Sequence, residues 1–246
     1  MLDIFATDPE AKAAREEREE AREAARARSN RPDYAFQFRS GGMVNGKPAS
    51  FQKWRIATPK LNVVEALKEL YGGTVSEAPN GDYILDTATN KIEVIVDASK
   101  IESKLIQWAD GLPIHECDGS KLLSPEAEKG NPCGCPRLLD DRKERAKQRR
   151  GPKPNIVIPI RLPQDEDLGT GKYTATAWTF AEDLPYTMKA LAAIDGEALC
   201  VLRLEHVEYV TKSGEARDFT RPHLDVVSSY QDAIADDVEP DNEPPY

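Results

Sequence analysis

Two tight pairs of side chains constrain this chain more than any other feature: His115-x-Cys117, within LPIHECDGS, and Cys133-x-Cys135, within NPCGCPRLL. Tetrahedral zinc takes two such ligand pairs facing each other, provided glycine and proline let the backbone turn tightly beside them. Gly119, Pro132, Gly134 and Pro136 supply those turns. The single residue inside each pair is tighter than the usual two-residue knuckle, so unmetallated thiols remain the competing reading. His115 is the ligand that Asp118 could replace. Four protein ligands leave a zinc ion no open position, which predicts a structural site and argues against a zinc hydrolase. Cys200 lies in the apolar run ALCVLRL and reads as a core residue.

Clustered thiols bind metal rather than pair when the surroundings are reducing. The opening MLDIFATDPEAK has neither a basic start nor a long apolar stretch, so no signal peptide is expected. No run of eighteen apolar residues occurs, so no membrane helix is expected either. A membrane protein and a disulfide-stapled secreted domain are thereby set aside in favour of a cytosolic one. With 31% charged residues and a mean hydropathy of −0.59, part of the chain should be solvated helix or tail. The net charge of −10 is unevenly spread. From Asp225 to the end there are seven acids and no Lys or Arg, whereas Arg137 to Lys153 carries eight basic residues against three acids. An acidic protein repels the DNA backbone, so a nucleic-acid role would rest on that basic run alone.

The fold class expected is α+β: mixed strands and short helices around a structural zinc knuckle, with a charged N-terminal helix and a disordered acidic C-terminal tail. Five parts follow from the patterning: a charged helical arm (1–31), an N-terminal α+β part (32–110), the zinc knuckle and basic helix (111–153), a C-terminal β-rich part (154–227) and the tail (228–246). Residues 8–28 are strong helix formers whose only apolar members are alanines, so that helix has no stripe to bury. Strands are expected at Tyr34–Phe38, Phe51–Ala57, Lys91–Asp97, Asn155–Leu162 and Tyr173–Phe180. Pro159 would put its strand at an edge or bulge. Thr58-Pro59 should start a helix whose apolar positions Leu61, Val64, Leu67 and Leu70 fit helical spacing, ended by Gly72-Gly73. Asn80-Gly81 marks a hairpin between Thr74–Ala78 and Tyr83–Thr87. Ser99–Trp108 reads as a short helix or a strand, and Glu182–Ala193 as a helix. Ala198–Thr211 should be a long strand that Lys212-Ser213-Gly214 turns back into Ala216–Arg221.

Sites for chemistry are scarce. Gly169-Thr170-Gly171-Lys172-Tyr173 imitates the end of a phosphate loop, but Glu166 stands where the first glycine belongs and Tyr173 where Ser or Thr would hold magnesium. There is no GxSxG, HExxH or GxGxxG, and no enzyme is expected. Phe51, Trp54 and Arg55 could stack on bases, yet on a strand Trp54 faces away from the other two, which favours core packing. The run RLLDDRKERAKQRRGPKPN has helix-forming composition, with acids early and arginines late as the helix dipole favours. It reads as a solvated face, a protein contact or a nucleic-acid contact. Its candidate partner-binding residues are Arg142, Arg145, Arg149 and Arg150.

Four segments together resemble the recombination directionality factors of Streptomyces temperate phages that use a large serine integrase: MLDIFATDPEAKAAREEREE, WRIATPKLNVVEALKELYGG, NPCGCP and GPKPNIVIPIRLP. The resemblance spans essentially the whole chain, and the cysteine pairs are its most specific part. It implies a non-enzymatic accessory protein in the bacterial host cytoplasm. Such a protein binds integrase on attachment-site DNA and turns it from joining attP with attB to recombining attL with attR. The expected partner is therefore that integrase, with no specific DNA binding by the protein alone, no membrane and no small-molecule substrate. The alternative is a zinc-containing nucleic-acid-binding accessory protein.

Overall fold

Alternating apolar residues and Gly-containing turns dominate the described part of the chain, and strands dominate the fold they build. The structure, a computed structural model, describes residues 34–44, 46–210 and 214–237. The helix expected over 8–28, the arm 1–31 and the last part of the acidic tail lie outside the described residues. Two compact units are present: Leu105–Pro152, and Tyr34–Lys104 together with the chain from Lys153 on. The 32–110 and 154–227 parts thus contribute to one discontinuous unit.

In chain order the discontinuous unit holds β1 (Gln37–Val44), β2 (Lys47–Thr58), α1 (Leu61–Tyr71), β3 (Thr74–Glu77), β4 (Tyr83–Asp86) and β5 (Lys91–Asp97). The other unit holds most of β6 (Glu102–Ala109), then β7 (Leu112–Cys117), β8 (Leu122–Ser124) and α2 (Leu139–Lys147). The chain returns to the first unit with β9 (Lys153–Ile160), β10 (Gly171–Ala175), α3 (Trp178–Ala192), β11 (Glu197–Val210), β12 (Ala216–Ser229) and α4 (Tyr230–Asp237). Strands β3-β4-β2-β1-β10-β9 form one sheet, antiparallel except for the parallel β1–β10 pair, and β12-β11-β5 form a second. Ile95 and Arg161 exchange backbone hydrogen bonds at 2.8 and 3.1 Å and tie the two sheets together.

The core between them is aromatic at its centre. Phe36, Phe38, Trp54, Tyr173 and Phe180 form an edge-to-face chain with centroid spacings of 5.3–5.8 Å, the geometry ring quadrupoles favour. Trp54 is fully buried, and its indole N–H donates to the carbonyls of Asn90 and Leu202, each at 3.2 Å. Cys200 is buried there too. Gly171 opens β10 because a Cβ at that position would lie 2.0 Å from the Phe36 ring. This glycine serves packing and not phosphate.

Several sequence expectations match the structure and others need correction. The strand KIEVIVD has the expected bounds, and the Asn80-Gly81 hairpin forms with Gly81 at φ +83°. Helix α1 ends at Gly72 as expected, but it buries Val63, Val64 and Leu67 while Leu61 and Leu70 are exposed. Ser99–Trp108 resolves into a strand, β6, after a single turn of 3-10 helix. The strand starting at Tyr34 begins only at Gln37. Trp178–Phe180 belong to α3 and not to a strand, because Phe180, Leu184 and Leu191 bury together on its inner side; packing overrides the β-propensity of Trp, Thr and Phe. Pro159 sits opposite Lys172 without a bulge, and Lys172 donates its N–H to Phe36 instead, so no β9–β10 bond is lost. The disordered tail expected from 228 does not begin there. Ser228 and Ser229 finish β12, and Ser229 Oγ accepts the Asp232 N–H at 3.0 Å as the N-cap of α4.

Candidate metal centre

The unit Leu105–Pro152 is organised around the His/Cys pairs. Strands β6 and β7 form a hairpin whose turn residues, Asp110 and Gly111, take φ of +51° and +79°, as a two-residue type I′ connection requires. His115 and Cys117 are two residues apart on β7, so both project from one face. An x-one spacing is therefore what a strand-borne ligand pair needs, where a knuckle would need two. Cys133 and Cys135 are brought opposite by backbone bonds to β8 and its approach: Leu122 donates to Asn131 O at 2.9 Å, and Cys133 to Ser120 O at 2.9 Å. Gly134, at φ +68°, turns the chain between them.

One ligand atom from each of His115, Cys117, Cys133 and Cys135 lies within 4.8 Å of the others. Cys117 Sγ is 3.8 Å from Cys135 Sγ, and Cys135 Sγ is 3.4 Å from His115 Nε2. A tetrahedral ion with metal–sulfur and metal–nitrogen bonds of about 2.3 and 2.0 Å would set those edges at about 3.8 and 3.5 Å. The donor set and its spacing fit a metal ion, and all four sulfur and nitrogen donors expected from the sequence are brought together. The cysteines are free thiols. Burial pushes the Cys117 thiol up to about 12, and burial raises Cys135 as well; a bound cation offsets that cost by favouring thiolate.

Asp118 lies outside this group. Its Oδ1 accepts the N–H groups of Lys121 and Ser120, both at 2.7 Å, which hold the carboxyl below its usual range. It fixes the turn that follows Cys117.

The four candidate arginines divide. Helix α2 has Asp140 and Asp141 in its first turn and Arg145 and Lys147 in its last. Arg142 turns inward: its Nε donates to Pro136 O and its Nη2 to Gly119 O, both at 2.6 Å. Arg145 Nη1 donates to Gly134 O at 3.3 Å. Arg149 and Arg150 are exposed. Sequence reasoning missed the inward role of Arg142, since nothing local marks an arginine that binds backbone more than twenty residues away.

The aromatic-basic cluster considered for base stacking is not available as such. Trp54 is in the core, Arg55 is paired with Asp86 at 2.6 Å, and its guanidinium lies over Phe51 at 4.3 Å. Among the described residues no helix is long and apolar enough to cross a membrane. A family model described as Gp3-like, recombination directionality factor-like, matches residues 14–228. No solved structure matches the chain.

Proposed function

The chain belongs to the Gp3-like, recombination directionality factor-like family, and from that premise we propose that it binds a phage serine integrase on attachment-site DNA. There it switches the integrase from attP × attB joining to attL × attR recombination, and so excises a prophage. The setting proposed is the cytoplasm of a bacterial host, and the resemblance to Streptomyces temperate-phage proteins supports that phage type. The observation carrying this reading is the family match, which spans nearly all of the described fold.

Such a switch needs no chemistry of its own. It must bind one arrangement of integrase subunits better than another, and the difference in free energy sets the direction. Moving a preference from 1:99 to 99:1 takes about 5.5 kcal/mol of differential binding, which one protein interface can supply. A net charge of −10 suits a partner made basic by its own DNA contacts and discourages independent DNA binding.

The metal proposed for the His/Cys group is structural zinc, held by His115, Cys117, Cys133 and Cys135. One feature supports it beyond the donor spacing. The Leu105–Pro152 unit buries only Ile106, Cys117 and Ala146 among its apolar side chains. So small a core rarely stabilises a domain without a metal or disulfides. Bound zinc would supply the free energy that closes the two ligand-bearing turns.

The test is recombination in vitro with the cognate integrase, all four attachment sites and increasing amounts of this protein. The expected result is attL × attR product appearing as attP × attB joining declines. If neither changes, the directionality reading is wrong, and a sequence-specific gel shift by the protein alone would move the nucleic-acid-binding alternative into its place.

A further inference from the structure

We propose that Arg142 is a positioning residue of the metal centre, and that metal occupancy folds the basic helix α2 through it. The proposal rests on the metal reading above and extends it to a part of the chain that carries no ligand.

Helix α2 cannot hold itself. It has nine residues, it is strongly polar, and it buries only Ala146. Isolated helices shorter than about 12–15 residues are marginal in water even with favourable composition. Beyond a bond from Gln107 Nε2 to Arg149 O at 3.4 Å, α2 is anchored by side-chain bonds to the ligand-bearing turns. Arg142 grips the carbonyls of Gly119 and Pro136, and Arg145 reaches that of Gly134. Gly119 follows Cys117 by two residues, Gly134 lies between Cys133 and Cys135, and Pro136 follows Cys135.

These carbonyls belong to two turns that backbone bonds from Leu122 to Asn131 O and from Cys133 to Ser120 O already bring side by side. A guanidinium is a rigid planar fork, so Nε and Nη2 can both be satisfied only if the two turns are held at a fixed separation. A metal ion bound by both pairs would add to those backbone bonds and fix that separation at the ligand end of the turns. Conversely, a clamped pair of turns presents the ligands already close together and tightens metal binding. The local shape agrees: Gly119 has φ +92°, and a Cβ there would lie 2.7 Å from Arg142 Nη1. That turn is built around the guanidinium. The consequence is that Arg149 and Arg150, just beyond the helix, are presented on a folded support only while the metal is bound.

The experiment uses the full chain, Co2+ as the probe ion, and two readouts. The first is the visible spectrum of a tetrahedral thiolate site, titrated for affinity. The second is the rate of tryptic cleavage after Lys147, Arg149 and Arg150. In the wild type, chelation should accelerate those cleavages at least tenfold while the discontinuous unit stays intact. Arg142→Gln should keep the tetrahedral spectrum, since all four ligands remain. It should bind Co2+ about tenfold more weakly, the equivalent of about 1.4 kcal/mol, and cleave fast even when saturated. Arg142→Lys, able to reach one carbonyl but not both, should fall between. If Arg142→Gln does not fold, Gly119→Ala and Arg142→Lys carry the same comparison. Wild-type affinity or wild-type protection in the variants overturns the proposal and leaves the metal reading standing. A wild-type chain that takes up no Co2+ overturns the metal reading, and this proposal falls with it.

Discussion

Removing the metal should unfold one unit of this protein and spare the other. The Leu105–Pro152 unit has Ile106, Cys117 and Ala146 as its buried apolar side chains. Burying one Ile and one Ala contributes a few kcal/mol at most. Ordering each residue costs about 1–2 kcal/mol of backbone entropy. Metal binding is left to close the gap. At free metal 1,000 times Kd, the linkage is about 4.1 kcal/mol, or three orders of magnitude in the folded ratio. If the group holds a metal as proposed, amide exchange in β7 and β8 should therefore rise about a thousandfold when that metal is chelated, with β2, β10 and β11 unchanged. The pH dependence has a definite sign. Burial raises the Cys117 and Cys135 thiols, so both are protonated near neutrality and must each release a proton to the metal. Affinity should fall at least about a hundredfold for each unit of pH lost over this range. The metal-free unit runs the other way. A folded-state thiol raised from 9.0 to about 12 contributes stability below pH 9 that is lost as pH climbs towards 12. Mass spectrometry with exchange at pH 6, 7 and 8, with and without chelator, reads the metal-bound trend, and the metal-free loss lies above pH 9. Identical protection of β7 in the two states at every pH would refute the reasoning.

Other outcomes follow from single contacts. Trp54→Ala should cost about 3–5 kcal/mol in denaturant unfolding, since it opens a cavity at the centre of the aromatic chain and removes the indole donor from the carbonyls of Asn90 and Leu202. Gly171→Ala should cost about 1–3 kcal/mol by driving a methyl into the fully buried Phe36 ring; unchanged stability would mean that ring can move. Arg149→Glu with Arg150→Glu should reduce attL × attR recombination in the assay above. Both residues are exposed, so the melting temperature should shift by no more than about 0.5 kcal/mol allows.

The metal group was legible because its chemistry is carried by residue type and spacing, and the strand β7 turns an x-one spacing into two ligands on one face. Elements with their own signals were legible for the same reason: KIEVIVD alternates, and Asn80-Gly81 dictates its turn. Trp178–Phe180 misled because Trp, Thr and Phe are good strand formers that extend the run beginning at Tyr173. Only the sheet beneath, which receives Phe180 and Leu184, settles the matter. Residues 230–237 misled because acidic composition outweighed a short signal that was present, Ser229 capping the N–H of Asp232. Arg142 was invisible because its partners are carbonyl oxygens, which every residue has, and only the fold selects those of Gly119 and Pro136.

The discontinuous unit has a consequence for how the protein is made. Trp54 donates to a carbonyl 148 positions further on, and Ser40 meets the Tyr173 hydroxyl across 133. On a ribosome adding roughly 5–20 residues per second, β1 and β2 emerge many seconds before β10 and β11 exist to cover them. Throughout that interval the β1 edge and the aromatic side chains of the future core are open to water and to other chains. The intervening unit is complete by Pro152, so it can fold first and shorten the loop that the late strands must close. Zinc starvation during expression should therefore lower soluble yield through aggregation of nascent chains, even though none of the ligands lies in the core that aggregates.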